Sequence, residues 1–213
     1  AMLRYGRAPI GVSWIVTNRC NLRCVYCGCP DVKTRELKTE QALDVIDELA
    51  TLGTAQVHIT GGEPLVRKDI DQLIQRLRYH AIRVTLTTNG TLVPRRIRSL
   101  RGCCQVSMSL DGPPSVHDQN RAIGQVDEVL KALRLLKDEG IPRKLQCLVT
   151  RTTSAEAVDF VLETGAQYDA KVYFQPALEV ILATEEPNPV VAQATTVRAI
   201  FEDLMRRRAA GAP

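Results

Sequence analysis

Six short β-rich runs, at residues 12–17, 56–60, 83–88, 105–110, 144–150 and 171–175, recur along the chain, nearly all of them followed by a helix-period stretch. This alternation constrains the fold more than any other feature. Strands joined through helices run parallel, and their crossovers are right-handed. Ile70, Leu73, Ile74 and Leu77 share one helical face, and Val126, Val129, Leu130 and Leu133 share another. A third face, Ala157, Phe160 and Val161, is opened by Thr153-Ser154-Ala155-Glu156 at capping-box spacing. The last, Val197, Ile200, Phe201 and Leu204, reads as starting from Asn188 as N-cap with Pro189 at the first helical position. A further helix over 39–52 stops at Gly53. At roughly 30 or more residues per βα unit, 213 residues hold about six units, fewer than the eight of a closed barrel of ~250 residues. An open doubly wound sheet and a partial barrel remain.

Side-chain parity separates these two. Strands covered by helices on both faces read as continuous apolar runs. Here one face is apolar, as in Val57 and Ile59, Val84 and Leu86, or Val106, Met108 and Leu110. The other is polar: Ser13, Thr17, His58, Thr60, Thr85, Thr87, Ser107, Ser109, Gln146, Thr150, Tyr173 and Gln175. The expected fold is therefore α/β, a partial (β/α)6 TIM-like barrel with parallel strands, outer helices and a polar concave face. Residues 1–213 read as one core domain, complete in itself or excised from a longer protein; Ala1-Met2 reads as an expression scar and Gly211-Ala212-Pro213 as the start of a loop.

Composition removes other classes. With 45% hydrophobic and 24% charged residues the chain is neither disordered nor fibrous. A net charge of +4, scattered apart from Arg206-Arg207-Arg208, does not call for nucleic acid. No apolar run approaches the ~18–20 residues of a membrane span. Four of the seven cysteines, Cys20, Cys24, Cys27 and Cys29, crowd together with no export signal ahead of them, which points to metal in a reducing, cytoplasmic compartment.

Cys20-Asn21-Leu22-Arg23-Cys24-Val25-Tyr26-Cys27 directly follows the first strand. Three thiolates on so short a loop can hold three corners of a cubane, leaving one iron open. Zinc with Cys29 as fourth ligand is the alternative. The C-x3-C-x2-C spacing, with an aromatic before the third cysteine, resembles the radical S-adenosylmethionine (SAM) superfamily. Thr60-Gly61-Gly62-Glu63-Pro64-Leu65 resembles that family's GGE motif. Thr87-Thr88-Asn89-Gly90, Ser109-Leu110-Asp111-Gly112 and His117-Asp118 with Arg121 resemble segments of the branch that holds peptide-modifying enzymes and molybdenum-cofactor cyclases. Every one of the strand-following motifs falls at the C-terminal end of its predicted strand, the catalytic rim of βα barrels.

The resemblance implies a 4Fe–4S cluster on Cys20, Cys24 and Cys27, with SAM chelating the open iron. Gly61 and Gly62 would let the backbone approach the methionine portion, assisted by Glu63; Thr87 and Asn89 would face the same lumen. Ser109 and Asp111 would bond the ribose, Arg121 would pair with the methionine carboxylate, and Tyr26 would lie near the adenine. It implies reductive cleavage of SAM, with an electron from an external flavodoxin- or ferredoxin-type donor, to a 5′-deoxyadenosyl radical that abstracts hydrogen from the substrate. Gln146, Tyr173 and Gln175 would meet that substrate; His58 points inward too, as a substrate contact or as a satisfied barrel histidine. A peptide substrate is expected, with a small molecule (nucleoside, lipid or cofactor) as the alternative. Branch members carry extra C-terminal cysteines, whereas none follows Cys147 here. A non-catalytic iron–sulfur electron-transfer module would explain the cysteines but not the other motifs.

Overall fold

Six strands pair in chain order, every neighbour parallel: β1 (Gly11–Ile15), β2 (Gln56–Thr60), β3 (Arg83–Thr88), β4 (Gln105–Ser109), β5 (Arg143–Val149) and β6 (Lys171–Pro176). The computed structural model describes residues 9–181 and 185–211; Ala1, Met2, Ala212 and Pro213, used above for the termini, lie outside them. Helices α1 (Thr39–Leu52), α2 (Ile70–Tyr79), α3 (Val93–Leu100), α4 (Pro114–Asn120), α5 (Gln125–Asp138), α6 (Ala155–Gln167) and α7 (Ala194–Ala209) fill the connections and follow β6. The sheet is open between β1 and β6, so the architecture is the expected partial (β/α)6 barrel.

The parity argument explains where the core sits. Val57, Ile59, Val84, Leu86, Val106, Met108, Leu145 and Cys147 are buried on the outer sheet face. Against them pack Ile46 of α1, Leu73, Ile74 and Leu77 of α2, Leu133 and Leu136 of α5, and Val161 of α6. Burying a side chain of this size contributes roughly 1.5–3 kcal/mol, so the outer face anchors the strands and leaves the concave face free for polar groups. α1 ends as read, with Gly53 at φ 85°, the left-handed turn that glycine adopts without strain.

Three local expectations are corrected. α7 begins at Ala194 with Gln193 as its N-cap. The Asn188 Oδ1 accepts instead from Val190 N at 3.2 Å and closes a turn there, the other common use of Asn-Pro. The α6 cap is Ser154, whose Oγ accepts from Ala157 N, while Thr153 Oγ1 accepts from Thr150 N and ends the preceding turn. Cys103 and Cys104, which read in the sequence as the start of a buried strand, both stand ahead of β4 instead, Cys103 buried and Cys104 exposed. Among the described residues no helix is long and apolar enough to cross a membrane.

Candidate active site

The segment between β1 and α1 contains only one short 3-10 turn, Cys29–Asp31, so its shape is imposed by neighbours. The loop after β2 holds its first half: Gly62 N donates to Thr17 O at 2.8 Å, and Glu63 N to Arg19 O at 2.9 Å. A Cβ on Gly61 would run into Thr17 O, and one on Gly62 would lie 2.6 Å from Asn18 O. The two glycines are thus needed where the β2 loop seats the cysteine loop, a different reason from the cofactor approach read in the sequence. Gly62→Ala is expected to push the cysteine loop off its seat, costing about 1–3 kcal/mol and lowering the iron retained after reconstitution. Unchanged iron content and unchanged denaturation midpoint would contradict this.

Glu63 extends the same scaffold. Its carboxylate is wholly buried and accepts from Leu65 N (3.0 Å), Thr88 Oγ1 (2.9 Å) and Asn89 N (2.8 Å). Burial pushes this carboxyl upward against the pull of those three donors. It ties the β2 loop to the β3 loop, and Asn89 then reaches the cysteine loop: its Nδ2 donates to Asn21 Oδ1 at 2.9 Å and points at Cys20 Sγ, 3.9 Å away.

The other half of the cysteine loop rests on the β4 loop and α4. Val25 N donates to Asn120 O at 3.0 Å, and the Arg121 guanidinium lies over the Tyr26 ring, 5.3 Å from its centroid. Arg121 is fixed in turn by Asp111, through Nε at 2.8 Å and Nη2 at 3.1 Å. The Asp111 carboxylate, fully buried, also accepts from Leu148 N at 3.0 Å. His117 Nδ1 accepts from Asp111 N, and burial, with the charge of Arg121, pushes this imidazole down to about 4. It is therefore neutral at ordinary pH, as an acceptor must be.

These contacts enclose a cavity of about 200 Å³ at the C-terminal ends of the strands. Cys20, Cys24 and Cys27 form one wall with Tyr26; Gly61, Gly62, Thr87 and Asn89 form the next; Ser109, Arg121, Gln146 and Gln175 complete it. Glu63, Asp111, His58 and Tyr173 stand outside that lining, the two carboxylates being committed to buried hydrogen bonds. His58 is bonded on both ring nitrogens, to Thr85 Oγ1 (2.9 Å) and Thr87 Oγ1 (3.2 Å). A more apolar cleft of about 650 Å³ opens sideways between β1 and β6. It shares Tyr26, Cys27, Leu148 and Gln175 with the first cavity and adds Ile15, Leu178 and Val180. Another cavity, of about 1300 Å³, lies at the N-terminal ends of the strands, among Gln56, Gln105 and Lys171, away from Cys20, Cys24 and Cys27.

The thiols fit a cluster. Three thiols of one loop ring a cavity, as the separate iron corners of a cubane require. Burial raises the Cys20 and Cys24 thiols, whereas the neighbouring Cys29 thiol brings Cys27 down. Cys29 lines the lateral cleft but not the cavity, and its thiol also faces Asn18 Oδ1 at 3.6 Å. Leu148 and Lys144 are residues that sequence reading passes over; both share the inward parity of Gln146 on β5, which is the available signal.

A parallel partial barrel with three cysteines of one loop at its C-terminal rim defines a βα-barrel protein built to hold an iron–sulfur cluster. The chain belongs to the radical SAM superfamily, whose family model matches residues 14–163. Members use a 4Fe–4S cluster and SAM. The chain is 35% identical over 170 residues to mycofactocin maturase MftC of Mycolicibacterium smegmatis, covering 76% of this chain and 43% of that one. It is 32% identical over 182 residues to GTP 3′,8-cyclase of Marinobacter nauticus, covering 80% and 54%. The crystal structure of Streptococcus suis SuiB bound to precursor peptide SuiA superposes with a TM-score of 0.83 at 18% identity, covering 97% of this chain and 48% of that one. The chain thus spans about half the length of these relatives.

Proposed function

We propose that this chain is the catalytic core of a radical SAM enzyme that modifies a peptide. The observation that carries this reading is the ring of Cys20, Cys24 and Cys27 facing the polar strand ends across one cavity. When bound, the cluster supplies the electron for reductive cleavage of SAM, and the cleaved cofactor supplies hydrogen-abstracting power. The three thiols would hold the cluster, with Asn89 directed at Cys20 to restrain it. Ser109 offers a hydroxyl to the ribose, and Arg121 a guanidinium to the methionine carboxylate. Tyr26 closes the cavity beneath Arg121, and Gly61, Gly62 and Thr87 bound it on the β2 and β3 side. Glu63 and Asp111 act by positioning, Glu63 through Asn89 and Asp111 through Arg121.

The lateral cleft supports a peptide. It is continuous with the cofactor cavity, apolar, and flanked by the free edges of β1 and β6, which suits an extended chain with backbone groups to pair. SuiB bound to a precursor peptide and the maturase MftC support the same reading. Gln146, hydrogen-bonded to Gln175 at 3.1 Å, would meet the substrate at the inner end of that cleft. The electron would come from a flavodoxin- or ferredoxin-type donor in a reducing, cytoplasmic compartment. Anaerobically reconstituted, reduced protein is expected to release 5′-deoxyadenosine from SAM. Cluster-loaded protein that binds SAM and yields none would reduce the chain to an electron-transfer module.

A further inference from the structure

Lys144 opens the inward-facing row of β5, and nothing in the site as described uses it. Its register partner on β4 is Ser107, itself opposite Thr87, and its partner on β6 is Lys171. Gln146, two residues further along the same face, lines the cofactor cavity. Lys144 is therefore on the concave face, one layer below that cavity.

Its surroundings lack an anion. Among the described residues no carboxylate pairs with Lys144; its Nζ lies over the Tyr173 ring, 5.0 Å from the centroid. The two acids of the cavity-forming loops, Glu63 and Asp111, are already saturated by buried donors. The neighbour directly across on β6 is another cation, and like charges opposite one another on a sheet destabilise it. Burial lowers the Lys144 ammonium, with no acid to oppose it. The same charge adds to burial in pushing His58 down, so the ammonium is felt within the barrel floor. A half-buried cation kept without a partner, beside a like charge and an aromatic face, is a site completed by an anion from outside.

We propose that Lys144, flanked by Tyr173 and Gln146, anchors an anionic group of the substrate, a carboxylate or a phosphate, on the floor of the barrel below the cofactor. This rests on the concave face being the substrate site. For a peptide the group is an acidic side chain; for a phosphorylated metabolite it is the phosphate. His58, held by Thr85 and Thr87, keeps the floor rigid. A lysine that merely extends its ammonium to water along an apolar stem would bind no anion.

The test titrates glutarate, inorganic phosphate and neutral glutaramide into the cluster-loaded chain by calorimetry, for the parent, K144M and K144R. Glutarate or phosphate is expected to bind the parent in the millimolar range, and glutaramide is not; which anion binds more tightly tells a carboxylate substrate from a phosphorylated one. K144M should weaken that binding about tenfold or more, as loss of a charged hydrogen bond implies. K144R should retain most of it, and SAM affinity should be the same in all three. In K144M the His58 imidazole, followed by NMR, should titrate at higher pH than in the parent, because the repelling charge is gone. Anion binding that persists in K144M, or is missing from a parent that binds SAM, overturns the proposal. A parent that binds neither iron nor SAM overturns the cofactor reading and this proposal with it.

Discussion

Replacing Cys20, Cys24 and Cys27 together with alanine is expected to leave a colourless protein without iron, whereas Cys29→Ala should keep the brown chromophore. The parent should hold about four irons and four sulfides per chain after anaerobic reconstitution. The distinction follows from where the sulfurs face. Cys20, Cys24 and Cys27 share the cavity at the strand ends, while Cys29 turns to the lateral cleft and to Asn18. Cys27 faces both spaces, which sets it beside Cys29 in the lateral cleft without making Cys29 a ligand. The alanine variant should also fold, because the cysteine loop is seated by backbone hydrogen bonds to the β2 loop and α4 that need no thiol. Circular dichroism on the apo forms checks that point, and iron and sulfide assays check the ligands. A zinc-bearing protein that loses its metal only on Cys29 replacement would overturn the assignment.

What was legible in the sequence follows the strength of each local signal. α1 and α2 were readable because Ile70, Leu73, Ile74 and Leu77 repeat at helical spacing and Gly53 ends α1 with the φ that only glycine adopts freely. The barrel was readable because strand parity is strict: the outer face needs burial and the concave face must not have it. α3 was missed. Its apolar residues, Val93, Ile97 and Leu100, do repeat, but over eight residues crowded with arginine and opened by Pro94 they do not rise above a loop. α4 was missed because Gly112-Pro113-Pro114 reads as a turn, and the helix after it spans only seven residues. In the site, most residues that line the cavity carry a motif or a polar inward position that marks them, whereas Leu148, apolar on the same face, does not. What the motifs could not tell is that tertiary neighbours claim the oxygens of Glu63 and Asp111 while Ser109 is left on the cavity wall. Lys144 has the parity of Gln146, but that no acid among the described residues pairs with it is a tertiary fact that the sequence does not carry.

That difference between Ser109 and Asp111 leads to the second large effect. The family resemblance assigns both to the ribose, which predicts weaker SAM binding for each variant with the cluster intact. The structure separates them. Asp111 is fully buried beneath the cavity lining and is matched by two donors of Arg121 and by Leu148 N, whereas Ser109 lines the cavity. Asp111→Ala would leave the Arg121 guanidinium buried without its partner, and breaking a buried pair on one side costs roughly 3–5 kcal/mol. For a chain of this size that is a fall in Tm on the order of 10 °C. Arg121 would also lose its hold against Tyr26, so SAM affinity should drop in the protein that remains folded. Ser109→Ala should keep its Tm and weaken SAM binding by about five- to tenfold, as one neutral hydrogen bond implies. Removing both partners, in Asp111→Ala with Arg121→Met, should recover part of the stability, because an apolar replacement of a buried pair is often close to neutral. It should not recover SAM affinity, because the guanidinium is gone. Stability would then follow the pair while cofactor binding follows Arg121 alone. Thermal melts and SAM titrations on the parent and the three variants, at matched iron content, read the two quantities separately. Equal losses of affinity at unchanged Tm for Asp111→Ala and Ser109→Ala would return Asp111 to the ribose.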